Sequence, residues 1–365
     1  MDSRYQYRYI PLTGTSYQIG QQQAAFVQTD PALRTFFTST PQEWIDSNYA
    51  EIAALYLQFC PGLLEEVQGI ADGLSVAPGQ IIYHLHTYLK PIHCSHFALL
   101  PQITRCGRTL VGRNYDFSPE TEDMRLCLTR LQGKYSHLAF STLLLGRADG
   151  MNDRGLVVTM SAGGIPVSNK PGMTPPLQKG LQFWAVVRSL LENCSDVSEA
   201  LQWLRQIPCG GNPILILADK KGQAAKVEVH GKELAVEHAD PFVCATNHYT
   251  SPELARYSQP VMSNSQVRRQ LMLDLIAQRA PSITHDDIRA LLAGRYPQGL
   301  CNHFYKEYFG TLYSFIADPM NGSIEICFGS PAVNEKHTFT FEQPAEVQVF
   351  PVELPQADGF AQFWG

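Results

Sequence analysis

Cys94 is the side chain in this 365-residue sequence best placed to act as a nucleophile. A thiol turns reactive when a nearby cation stabilises its thiolate and lowers a pKa that starts near roughly 8.5. Arg113 and Asp116, in Gly112-Arg113-Asn114-Tyr115-Asp116, follow at a separation that lets the strand carrying Cys94 run out, turn and return beside itself. That adjacency would bring a guanidinium and a carboxylate to the sulfur. Strict alternation sets Arg113 and Asp116 on opposite faces, so both reach Cys94 only across a bulge or past the strand's end. Phe117-Ser118-Pro119 favours the second.

The elements that must hold these residues change character at Cys94. Residues 1–93 read as a helical segment: Thr40-Pro41-Gln42-Glu43 is a capping box with proline at the first helical position, followed by Ile45, Tyr49, Ile52, Leu55 and Phe59 at helical spacing. Cys60-Pro61-Gly62 breaks that helix, and Leu63, Val67 and Ile70 begin another. Beyond Cys94 the period shortens towards two, predicting strands over 96–100, 109–117, 126–132 and 137–145. Asp149 to Gly155 reads as a hairpin turn before a strand at 156–160, and a Gly/Pro-rich loop over 162–176 has the length of a lid or substrate-contacting segment. Helices at 177–193 and 196–206, strands at 213–218, 225–229 and 242–246, helices at 265–278 and 285–293, and a hairpin turning on Asn321-Gly322 complete the order. Segregated runs of strands and helices predict an α+β layered fold, and no Gly-x-Gly-x-x-Gly turn suggests a dinucleotide.

Composition narrows the partners. A net charge of −6 without any Lys/Arg run argues against nucleic acid and anionic membrane, and no stretch of about 18 apolar residues suggests a membrane span. Nine scattered cysteines, odd in number and without a Cys-x-x-Cys pair, suit a reducing cytoplasm better than a disulfide framework, and the N-terminus lacks the pattern of a signal peptide. A small molecule is the expected partner, with no cofactor and no metal.

Five short motifs in order carry a resemblance: Cys94-Ser95 before a strand; Gly112 to Asp116; Gly150-Met151-Asn152-Asp153-Arg154-Gly155; Ala245-Thr246-Asn247-His248; and Ser265-Gln266-Val267-Arg268 opening a helix. The chain resembles the N-terminal-nucleophile (Ntn) cysteine hydrolases, within them the choloylglycine hydrolase and penicillin V acylase group, and most of all the isopenicillin N acyltransferase-like branch. The resemblance implies a four-layer αββα sandwich preceded by a helical pro-segment. It also implies a precursor cut at His93-Cys94 into a small subunit, 1–93, and a large catalytic subunit, 94–365, paired as a heterodimer that homo-oligomers would also accommodate. Cys94 would form a thioester with a small acyl-amide substrate, hydrolysing a linear amide or passing the acyl group to another amine. Its freed α-amino group, of pKa roughly 7.7–8.0, would serve as base. By the same resemblance Arg113 would polarise the thiolate, Asp116 would anchor the new ammonium, Asn247 and Asn152 would donate to an oxyanion, and Arg268 would complete the network. His93 stands where acyltransferase-like members usually have glycine, and Ser95 where they usually have threonine; a bulky residue at the scissile carbonyl slows self-cleavage.

Other readings compete. His84, His86, His93, Cys94 and His96 cluster densely enough for a zinc or copper site, although their spacing matches no common zinc motif. A papain-like protease would use His248 or His303 as base for Cys94. A precursor that never cleaves would keep the fold and only bind a ligand.

Overall fold

The computed structural model describes residues 5–87, 93–164 and 179–357, except the side chains of 83–87. Sixteen strands among the described residues form two sheets. The larger contains β1 (Tyr5–Gly14), β4 (Arg125–Leu131), β5 (His137–Thr142), β6 (Gly146–Asn152), β7 (Leu156–Ala162), β8 (Pro213–Asp219), β9 (Ala224–His230), β10 (Glu233–His238) and β16 (Gln348–Val352), in the order β10-β9-β8-β7-β6-β5-β4-β1-β16. The smaller runs β11 (Phe242–Ala245), β2 (His93–Leu99), β3 (Leu110–Phe117), β13 (Phe309–Asp318), β14 (Ser323–Phe328) and β15 (Lys336–Thr340), with β12 (His303–Phe304) pairing β13.

The sheets pack face to face through aromatic side chains: Phe140 of β5 stacks on Tyr313 of β13 at 3.5 Å, and Tyr7 of β1 on Phe328 of β14 at 4.9 Å. Burying each such ring contributes about 1.5–3 kcal/mol. The outer face of the small sheet, with Phe97, Leu99 and Leu110, is covered by α8 (Ser263–Arg279) and α9 (His285–Ala293). On the far side of the large sheet, α6 (Phe183–Asn193) lays Trp184 against Gly146, where a Cβ would collide with the indole, and α7 (Val197–Leu204) follows. The helices α1 (Ser16–Gln28), α2 (Pro31–Thr38), α3 (Gln42–Phe59), α4 (Pro61–Leu74) and α5 (Pro78–Thr87) join this layer, with Tyr56 edge-on to Trp184 at 6.4 Å. The layer order is αββα, as the resemblance implies.

The structure corrects several local expectations. Residues 5–14 are a strand, not helix; Tyr5, Tyr7 and Tyr9 alternate with Gln6 and Arg8 in a period-two pattern that the helical reading of the N-terminal region overlooked. The capping box at Thr40 does not form, because the Thr40 hydroxyl donates to the Gln80 carbonyl at 3.0 Å and its backbone N–H to the Gln80 side chain at 2.7 Å. The strand expected over 137–145 ends at Thr142: Leu143 and Leu144 take left-handed backbone, a conformation that leucine does not advertise, and turn the chain into β6. β6 therefore runs through Asp149 and Gly150, leaving only Asp153-Arg154 as the turn. The loop expected over 162–176 lies from 165 onward outside the described residues.

Candidate active site

Cys94 is the second residue of β2, an interior strand flanked by β11 and β3. β11 pairs with β2 only from Leu99 back to His96, so the chain after Ala245 leaves the sheet beside Cys94 and delivers Asn247 to its backbone. Asn247 Oδ1 accepts the Cys94 amide N–H at 3.0 Å. On the other side, Cys94 pairs with Tyr115 and His93 with Asp116. The Asp116 backbone lies beside the Cys94 sulfur and acts to lower the thiol's pKa.

Alternation divides the remaining groups between two layers. Cys94, His96, Arg113 and Tyr115 face the large sheet, whereas Ser95, Asn114 and Asp116 face the α8–α9 layer. The opposition of Arg113 and Asp116 foreseen from the sequence is therefore real. A register shift between Thr311 and Tyr313 on the neighbouring strand accompanies it without undoing it.

In the inter-sheet layer, Arg113 Nε donates to Asp149 Oδ2 at 2.8 Å with both side chains fully buried. Asp149 also accepts from the Tyr313 hydroxyl at 2.6 Å and the Met160 amide at 2.8 Å. The guanidinium is thus already paired, and burial pushes the Cys94 thiol up to about 12; the Arg113 charge opposes that rise while Asp149 and Asp116 add to it. The expectation that Arg113 yields a low-pKa thiolate does not hold for the uncut chain, because desolvation outweighs one neutralised cation. Arg113 Nη2 is buried without a hydrogen-bond partner among the described residues.

In the helix layer, Arg268 of α8 is fully buried and turned inward. Its Nη1 donates to the Cys94 carbonyl at 2.5 Å and to Ser95 Oγ at 2.9 Å, its Nη2 to Asn247 Oδ1 at 2.8 Å, and its Nε to Asn264 Oδ1 at 2.6 Å. Asn264 contacts Asn302, and Asn302 Nδ2 donates to Asp116 Oδ2 at 2.7 Å while the Thr311 hydroxyl donates to Oδ1 at 2.6 Å. Burial raises Asp116 to about 6, against the pull of Arg268 and those two donors. The circuit Cys94, Asn247, Arg268, Asn264, Asn302, Asp116 closes on itself around the start of β2.

Two expected roles differ from the geometry. Asn247 presents its oxygen to Cys94, and its Nδ2 donates to the Ala162 carbonyl at 3.1 Å rather than standing open for an oxyanion. Asn152 belongs to the β6–β7 turn: its Nδ2 donates to the carbonyls of Leu191 and Cys194 at the end of α6, and its Oδ1 accepts from the amides of Arg154 and Leu156. Every polar valence of that amide is committed to backbone, which leaves none for an oxyanion. Asp116 meets Cys94 through its backbone, and its carboxylate is held by Asn302 and Thr311.

The competing bases and ligands are placed elsewhere. His96 shares the face of Cys94 but spends both ring nitrogens on Thr159 and Ser161, at 2.7 and 3.1 Å. His93 stacks on Phe309 at 3.9 Å and is held neutral by burial and Arg268, which lower it to about 3. His248 bonds Ser265, and His303 bonds Ser330. Among the described residues no group of three His, Cys, Asp or Glu side chains could hold a metal; the side chains of His84 and His86 lie outside them. The residues that sequence reasoning missed are Asp149, Asn264, Asn302, Thr311 and Tyr313. Asn264 alone had a readable signal, four residues before Arg268 on one helix face.

Residues 104–333 match the family model of acyl-coenzyme A:6-aminopenicillanic acid acyl-transferase, a span that includes Arg113, Asp116, Asn247 and Arg268 and begins after Cys94. The chain belongs to this family. It is also 24% identical over 234 residues to an uncharacterized protein of Archaeoglobus fulgidus, covering 57% of this chain and 38% of that one. The chain thus spans under two-fifths of that relative's length. Solved structures similar to it include a mutant conjugated bile acid hydrolase from Clostridium perfringens (14% identity, TM-score 0.47, 73% of this chain and 99% of that one). Penicillin V acylase from Agrobacterium tumefaciens (15%, 0.44, 73% and 94%) is another. No helix among the described residues is long and apolar enough to cross a membrane.

Proposed function

We propose that this chain is a self-processing cysteine enzyme that hydrolyses a linear amide outside peptides, or transfers its acyl group to another amine. The observation that carries this reading is the clamp on the first residues of β2: the Cys94 N–H held by Asn247 at 3.0 Å and its carbonyl held by Arg268 at 2.5 Å. A thiol so fixed can attack the carbonyl of His93. The sulfur–carbon bond forms, the carbon–nitrogen bond to Cys94 breaks, and the thiol proton passes to the departing nitrogen. Water then hydrolyses the thioester, leaving the His93 carboxylate and a free α-amino group on Cys94.

The same atoms serve the second reaction. The α-amine takes the thiol proton, the sulfur attacks the substrate carbonyl, and the amine leaves with that proton. Water or a second amine resolves the thioester. Asn247 Oδ1, which holds the Cys94 N–H before cleavage, would hold the ammonium afterwards, with Asp116 as its counter-charge. Asn247 Nδ2 would serve the oxyanion once it leaves Ala162, and loss of such a donor costs roughly 2.7–4 kcal/mol of barrier. Arg113 Nη2 is the buried donor left to meet charge developing on the sulfur. Family membership supports acyl transfer or amide hydrolysis as the reaction class. The nine free cysteines suit a cytoplasmic setting.

Intact mass of the purified protein beside Cys94→Ala tests this directly. Fragments breaking between residues 93 and 94 are expected in the first and absent in the second. A wild-type chain that stays whole while turning over no N-acyl amino acid, penicillin V or conjugated bile acid would leave only ligand binding.

A further inference from the structure

A cleft of about 340 Å³ lies on the outer face of the large sheet, away from Cys94. Its floor is aliphatic, with Val186 of α6, Leu204 of α7, Leu215 of β8, Val229 of β9 and Leu234 of β10. Alternation explains the separation from the catalytic centre: Leu215 points out towards α6, while Glu228 on the inner face bonds the loop after Asn247. The sheet itself stands between them. At the rim are Arg205 and Lys232, and among the described residues no carboxylate lines the wall.

Both rim cations lack a counter-ion among the described residues. The carboxylate nearest in sequence, Glu233, is committed to Arg256 at 3.2 Å and to the Tyr257 hydroxyl at 2.7 Å. A chain of net charge −6 thus presents two unneutralised cations over an apolar trough. An inorganic anion would leave the trough unfilled, and a neutral alkane would leave the cations unmet. The volume sits at the lower end of small-molecule pockets, roughly 300–1,000 Å³. A guanidinium fork and an ammonium match a carboxylate head.

We propose that this cleft is a second binding site, distinct from Cys94, for a straight-chain alkyl carboxylate of medium length. The alkyl chain lies along Leu215, Val229 and Leu234, and the carboxylate meets Arg205 and Lys232. The site stands independently of the chemistry assigned to Cys94, since binding is read in protein without that thiol.

The test is calorimetric titration of octanoate into full-length Cys94→Ala. One saturable site is expected, weakened by salt and at least tenfold weaker for octanol. Adding Arg205→Gln and Lys232→Gln together should weaken octanoate at least tenfold, and Leu234→Trp, which fills the trough, should abolish binding on its own. Circular dichroism verifies that each variant is folded, and the tryptophan variant decides the matter if the charge variant does not fold. No saturable binding, or an affinity for octanoate unchanged by these substitutions, would overturn the proposal.

Discussion

The pair formed by Arg113 and Asp149 sets what a guanidinium can do for Cys94. Because the ion pair is fully buried and Asp149 also accepts from Tyr313 and Met160, the carboxylate, with three donors, is better supported than the arginine it pairs with. Removing one partner of a buried pair leaves an uncompensated charge, typically at a cost of about 3–5 kcal/mol. Asp149→Asn is therefore expected to lose stability on that scale in urea unfolding, and Tyr313→Phe to lose less; equal stability of Asp149→Asn and wild type would show that Arg113 does not depend on the pair. Asp116 gives a pH signature of opposite character. Its folded pKa of about 6 lies above its ordinary 3.8, so the folded state holds a proton more readily than the unfolded chain. The stability this contributes is fully present below about pH 3.8 and lost as pH rises through about 6, on the order of 3 kcal/mol in all. Asp116→Asn should flatten the unfolding free energy across that window, and an unflattened profile would assign the slope to another group.

At the scale of elements, Asn152 separates a turn from a site. Its amide satisfies four backbone groups where the β6–β7 turn meets the end of α6. With a net contribution of about 0.5–1.5 kcal/mol for each of the four hydrogen bonds, Asn152→Ala is expected to lower stability by about 2–6 kcal/mol. The fraction of chain cut at residue 94 should stay unchanged, whereas Asn247→Ala should reduce it; a processing defect in folded Asn152→Ala would return that residue to the chemistry. Asn-Asp-Arg-Gly was legible as a turn because turn chemistry is local. Cys94, Arg113, Asn247 and Arg268 were legible through short motifs, and the structure brings them together. Asp149, Asn302 and Thr311 were not, since each gains its partner from a strand or loop remote in sequence, and nothing local distinguishes a buried aspartate on β6 from a turn aspartate. The same limit hid β1, whose partners β4 and β16 lie far along the chain.

At the scale of the whole molecule, the segment before Cys94 is part of the scaffold. β1 pairs in parallel with β4 from Arg8 to Gly14 and antiparallel with β16 from Tyr5 to Tyr9, so it lies inside the large sheet and removing it would expose two strand edges. Glu66 of α4 and Arg188 of α6 form a buried ion pair at 2.5 Å across the prospective subunit boundary, and Gln23 of α1 accepts from Arg125 of β4 at 2.7 Å. Cutting the bond before Cys94 breaks none of these contacts. The expected outcome is that fragments 1–93 and 94–365 co-elute in one size-exclusion peak without denaturant and separate only in urea. Glu66→Gln should lower the urea concentration needed for separation, by less than complete loss of the pair would suggest, because Arg188 keeps Glu192 at 2.7 Å. Release of the small fragment from a large fragment that remains folded would contradict this arrangement, since the large sheet cannot keep β4 and β16 in place with an empty strand position between them.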